Sequence, residues 1–83
     1  MSSAAAGLIW SLSASERNKL ALANAGVVEH LVELMKMGSD KGRQNAGRAL
    51  TRIAKSTNPR VAMECAWAIG PLVELIIHMD VKQ

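Results

Sequence analysis

The sequence has no phenylalanine and no tyrosine, and its only aromatic residues are Trp10 and Trp67. Most globular cores use several aromatic rings, because each buries a large area. A core in this chain of 83 residues must therefore be aliphatic, built from Ala, Leu, Ile, Val and Met. That composition favours close-packed helices over a sheet, since aromatics are strand residues and most of these aliphatics are good helix formers. The single cysteine, Cys65, excludes an internal disulfide and points to a reducing compartment, the cytoplasm or the nucleus. No apolar run reaches the ~18 residues that a membrane-spanning helix needs. The apolar stretch from Ala4 to Leu12 has no Lys or Arg before it, so a secretory leader is not expected.

Hydrophobic residues make up 49% of the chain, which excludes the disordered class. A chain this short buries only about 60% of its unfolded surface. Little scaffold is left for a shaped pocket, so an independent enzyme is not expected. The net charge of +3 is mild and falls short of a dedicated nucleic-acid binder.

The chain repeats itself. Shifted by 41 residues, Leu31-Val32-Glu33-Leu34 falls on Leu72-Val73-Glu74-Leu75 without a gap. Ala5 falls on Ala46, Ser15 on Ser56, Ala21 on Ala62 and Ala25 on Ala66. Apolar positions also coincide: Ile9 with Leu50, Leu12 with Ile53, Leu20 with Val61, Leu22 with Met63 and Val28 with Ile69. An internal repeat of this length is the signature of a solenoid.

Capping and breaking residues divide the repeat. A first helix is predicted over Ser3–Leu12, capped by Ser2 or Ser3. A short helix is predicted over Glu16–Asn24 behind the Ser15 cap, ending at Gly26 in a left-handed turn. A second helix follows over Val28–Met37, and a third over Lys41–Ala54 behind Ser39 or Asp40. Asn58 and Pro59 suit a helix start, so short helix, turn and longer helix are expected to recur from Pro59 to Met79. Trp67 stands where the first copy has Gly26, and Trp adopts a left-handed turn only at a cost, so the junction there is expected to differ. No stretch alternates with period two, which leaves no strand.

These residues carry a resemblance. Asn24-Ala25-Gly26-Val27-Val28-Glu29-His30-Leu31-Val32-Glu33-Leu34-Met35 resembles the second-helix signature of armadillo repeats. The run from Gly38 to Ala54 is similar to the family's loop and third helix, and Pro59-Arg60-Val61-Ala62-Met63 to the start of a further repeat. The resemblance implies an all-α, armadillo-like superhelix of about two repeats' worth of helices. Residues 1–14 would be the third helix of a partial repeat, 15–55 a complete repeat, and 56–83 the first two helices of another. Such units do not bury their own faces, so both end units are expected to show apolar surface, as in a piece of a longer array or a self-associating chain.

Residues for chemistry are sparse. His30 and His78 lie far apart without partners at metal spacing, and His30 with Glu33 reads as a surface pair. Cys65 lies on an apolar helix face, where thiols are inert. The loop from Gly38 to Gly42 lacks the spacing of a phosphate loop, and the five Met read as core filler. No catalytic residue, metal site or cofactor is expected.

One feature rises above this background. From Lys41 to Met63 there is no acidic residue but six basic ones. At ~100° per residue, Lys41, Asn45, Arg48, Arg52 and Lys55 share one polar stripe, opposite Ala46, Ala49, Leu50 and Ile53. The resemblance implies that third helices line a concave groove for extended peptides. Arg48 and Arg52 replace the Trp and Asn of importin-α-type repeats, and Gly7 and Ser11 hold the matching places one repeat earlier. Like charge disfavours basic import peptides. An acidic extended segment of a protein partner is implied instead, as in β-catenin-like proteins. Its carboxylates would meet Arg48 and Arg52, its backbone Asn45, with Lys41, Lys55 and Ser11 alongside. The stripe equally fits a solvated face, as runs of charge usually do. Nucleic acid would find phosphate contacts but no interleaved aromatics for its bases. Two further readings are the armadillo part of a larger ubiquitin-ligase-type protein and a self-assembling spacer.

Overall fold

A computed structural model describes the backbone of residues 1–81 and the side chains of residues 1–70. Five helices follow one another: α1 (Ser3–Leu12), α2 (Glu16–Asn24), α3 (Val27–Met37), α4 (Asp40–Ala54) and α5 (Pro59–Val81). Among the described residues there is no strand. The fold is all-α and solenoid-like.

Four of the five helix starts are set by a side chain that satisfies an orphan N–H of the first turn, while α3 opens at Gly26 with no side-chain cap. Ser2 Oγ accepts from the Ala5 N–H at 3.1 Å, Ser15 Oγ from Asn18 at 3.1 Å and Ser39 Oγ from Gly42 at 3.2 Å. Asn58 Oδ1 accepts from the N–H groups of Arg60 and Val61, opening α5 at Pro59. A cap of this kind contributes about 1 kcal/mol. Gly26 is the one described residue with positive φ, at 79°, and it lets the chain turn from α2 into α3.

The core is aliphatic. α4 lies against α1, α3 and α5, and buries Ala46, Ala49, Leu50 and Ile53. Val28 and Leu31 of α3, Val61 and Cys65 of α5, Ala6 of α1 and Ala23 of α2 complete it. Ala46, Ala49 and Ala6 let the helix backbones approach closely. A β-carbon on Gly7 would already stand 3.4 Å from the Asn45 amide. Helices α1 and α4 are equivalent under the 41-residue shift and pack against one another, side by side in one wall.

One expectation is corrected. The short helix, turn and longer helix expected between Pro59 and Met79 are a single helix, α5, unbroken through Trp67. The reason is local: without a glycine at position 67, nothing supplies the left-handed residue that ends α2. The Leu72–Leu75 side chains, the second half of the repeated tetrapeptide, lie outside the described residues. Apolar surface is exposed at both ends of the helix order, at Leu8 and Leu12 on α1 and at Met63 and Trp67 on α5.

Candidate functional site

The polar stripe of α4 faces outward beside α1, and the two helices form an open groove of about 440 Å³. Its lining includes Trp10 from α1 and Arg43, Arg48, Thr51, Arg52 and Lys55 from α4 or its C-cap. Among the described residues the one ion pair within 4.0 Å is Lys19 with Glu16, outside this groove. No described acidic side chain therefore neutralises Arg43, Arg48, Arg52 or Lys55 by direct contact. The groove is a concentrated cationic surface, and a charged face of this kind attracts anions at a range set by ionic strength.

The six residues singled out by sequence separate into two groups. Arg48, Arg52 and Lys55 line the groove together. Lys41 is exposed at the first turn of α4, and Ser11 is exposed on α1 with its Oγ donating to the Gly7 carbonyl at 3.3 Å. Asn45 is half-buried and donates from Nδ2 to the Ser3 carbonyl of α1 at 2.9 Å. That hydrogen bond uses one of the two amide N–H groups of a side chain assigned by sequence to a bound peptide's backbone, and leaves the other N–H and the amide oxygen.

Arg52 is also engaged with α1. Its Nη1 donates to the Trp10 carbonyl at 2.9 Å, and its guanidinium lies 4.9 Å from the centre of the Trp10 ring. The exposed Arg48 guanidinium lies 5.5 Å from the same ring. The last turn of a helix leaves carbonyls without intrahelical donors and carries the negative end of the helix dipole. In α1 these carbonyls are met by side chains: Trp10 O by Arg52 and by Ser13 Oγ at 2.8 Å, and Leu12 O by Asn18 Nδ2 at 2.8 Å. The stripe thus has two roles. Asn45 and Arg52 bolt α4 to α1, while Arg48, Lys55 and Arg43 face the solvent of the groove.

Sequence reasoning passed over Trp10, Arg43 and Thr51 as groove residues. Trp10 carried a usable signal. The contacts Ser3–Asn45 and Trp10–Arg52 each join residues 42 apart, one more than the repeat length. Equivalent helices laid side by side place such neighbours in register.

Elsewhere the chemistry is spare. Cys65 is buried, and burial first, the Glu64 charge second, push its thiol up to about 11, so it is not a thiolate at neutral pH. His30 and Glu33 border a shallow recess between α3 and α5; His78 lies outside the described residues. Among the described residues no three of His, Cys, Asp and Glu gather as a metal requires, and no helix is long and apolar enough to cross a membrane.

Comparison with known proteins adds one match. The family model described as Armadillo/beta-catenin-like repeat matches residues 15–55, which contain α2, α3 and α4. Neither the curated proteins nor the solved structures give a match to the chain. Repeats of this family serve generally as protein-interaction scaffolds and are typically not enzymes.

Proposed function

From a chain that residues 15–55 place in the armadillo-repeat family, we propose an interaction scaffold whose α1–α4 groove binds an extended, acidic segment of a protein partner. The observation that carries this reading is the convergence of Arg43, Arg48, Arg52 and Lys55 on one groove without an acidic neighbour in contact among the described residues. The mechanism is binding without chemistry. Each exposed charge pair contributes ~0–1 kcal/mol, so specificity comes from several contacts along a rigid wall and from repulsion of basic segments. Basic import peptides are disfavoured on that ground.

The test is a pair of charge reversals, Arg48→Glu with Lys55→Glu, chosen because neither residue makes a hydrogen bond to α1 among those of the described residues. Fluorescence anisotropy with a labelled Glu-rich peptide at low salt should show affinity falling by at least about tenfold, equivalent to ~1.4 kcal/mol. Circular dichroism should show unchanged helicity. Equal affinity in the variant and the parent refutes the groove reading. A second reading, self-assembly through end faces, draws on exposed Leu8 and Leu12 at one end of the helix order and Met63 and Trp67 at the other. It requires a sedimentation mass that rises with protein concentration.

A further inference from the structure

Trp10 is the one aromatic side chain in the groove, and it comes from α1 rather than from the cationic helix. Two guanidiniums share its ring, Arg52 at 4.9 Å and Arg48 at 5.5 Å from the centroid. Arg52 is further fixed by its hydrogen bond to the Trp10 carbonyl. A ring quadrupole attracts each cation, but the two cations repel one another. No described acidic side chain sits in ion-pair contact to offset that repulsion. The cluster is therefore held by a neutral ring and one backbone carbonyl, with its positive charge uncompensated by contact among the described residues. Guanidinium groups have five N–H donors each, and one hydrogen bond to a carbonyl leaves most of them unspent.

We propose that Trp10 is a positioning residue that holds Arg48 and Arg52 as a preorganised seat for one side-chain oxyanion, a carboxylate or a phosphoryl group, of the bound segment. This rests on the groove reading for the segment, but the seat itself is local to three side chains. Preorganisation lowers the ordering cost that flexible arginines otherwise carry into binding. Trp10 contributes no charge, so its removal weakens binding without removing an ion pair.

The experiment uses the full chain, the variants Trp10→Leu and Trp10→Phe, and three labelled extended peptides: Glu-rich, the same length with Gln for Glu, and the Gln form carrying one phosphoserine. Trp10→Leu should weaken the Glu-rich and phosphoserine peptides by about tenfold, with the salt dependence of binding unchanged because every cation remains. Trp10→Phe keeps a ring and should restore most of the affinity. Tighter binding of the phosphoserine peptide than of the Glu-rich one assigns the seat to a phosphoryl group; the reverse assigns it to a carboxylate. Because a leucine at position 10 could disturb α1, a second measurement uses Trp67→Phe, which leaves Trp10 as the sole tryptophan. Its emission should change on titration with the peptides and with free phosphoserine.

The two failures are distinguishable. Acidic peptides that bind Trp10→Leu as tightly as the parent, or that bind without moving Trp10 emission, overturn the seat and leave the groove reading standing. Free phosphoserine that moves Trp10 emission while no extended acidic peptide binds supports the seat and overturns the groove reading. No binding and no emission change overturn both.

Discussion

Residues 16–37 and 59–81 descend the same pattern and fold differently. In the first, α2 ends at Asn24, Gly26 turns at φ 79°, and α3 leaves in a new direction that brings Val28 and Leu31 into the core. In the second, α5 runs through the equivalent point as one helix of 23 residues, and Trp67 is 73% exposed. The two stretches share Ala25 with Ala66, Val28 with Ile69 and the Leu-Val-Glu-Leu motif. Hydrophobic patterning common to both does not encode the turn. One residue able to take a left-handed conformation does.

The comparison breaks most sharply at Gly26. A β-carbon there meets nothing within 4 Å, so substitution meets backbone strain rather than a clash. Gly26→Val should destabilise the fold by about 1–2 kcal/mol, the left-handed penalty for an L-residue, while Gly26→Asn should cost less. Urea denaturation of the three proteins measures the order Gly, Asn, Val. Equal midpoints would mean that α3 can leave α2 without the turn. The converse change is smaller. Trp67→Gly places in α5 the residue that breaks the first copy, and should cost about 1 kcal/mol at most by helix propensity. Amide exchange around position 67 should quicken, because glycine permits the turn without supplying the packing that fixes it. Exchange as slow as in the parent would show that α5 is held by contacts rather than by the absence of a breaker.

The same two regions explain what could be read in advance. Helices α1 to α4 were legible because their starts are written in residues with a mechanism: Ser2, Ser15 and Ser39 accept first-turn N–H groups of α1, α2 and α4, and Gly26 supplies the left-handed turn that opens α3. The continuity of α5 was only half legible. Trp67 announced that the junction differs, but a missing breaker does not say what replaces it, and the backbone replaces it with one unbroken helix. In the groove, helical periodicity placed Arg48 and Lys55 on an open face. It could not tell that Asn45 and Arg52, on the same stripe, bond the carbonyls of Ser3 and Trp10. Period reports which side of a helix a residue occupies; the neighbour on that side is a property of tertiary packing.

The smallest effect tests how the two regions are joined. Glu16, the first residue of α2, is the equivalent of Thr57 under the 41-residue shift, and the two are in contact. The Glu16 carboxylate accepts from the Thr57 N–H at 2.9 Å and from the Ser56 hydroxyl, so the first copy grips the start of the second. The Ser56 hydrogen bond, then the Thr57 N–H, with Lys19 adding to them, hold this carboxyl below its ordinary value of 4.5. A carboxyl lowered by folding stabilises the fold fully above its unfolded pKa, and that contribution fades as pH falls through the folded value. The melting temperature of the parent should therefore drop relative to Glu16→Gln below about pH 4.5, with a constant difference between them above it. Melting curves that stay parallel through the acid range would mean that the two copies are joined by core packing alone. In that case α5 would be anchored by Val61 and Cys65, both buried against the first copy, and the loop contact would be incidental to the junction.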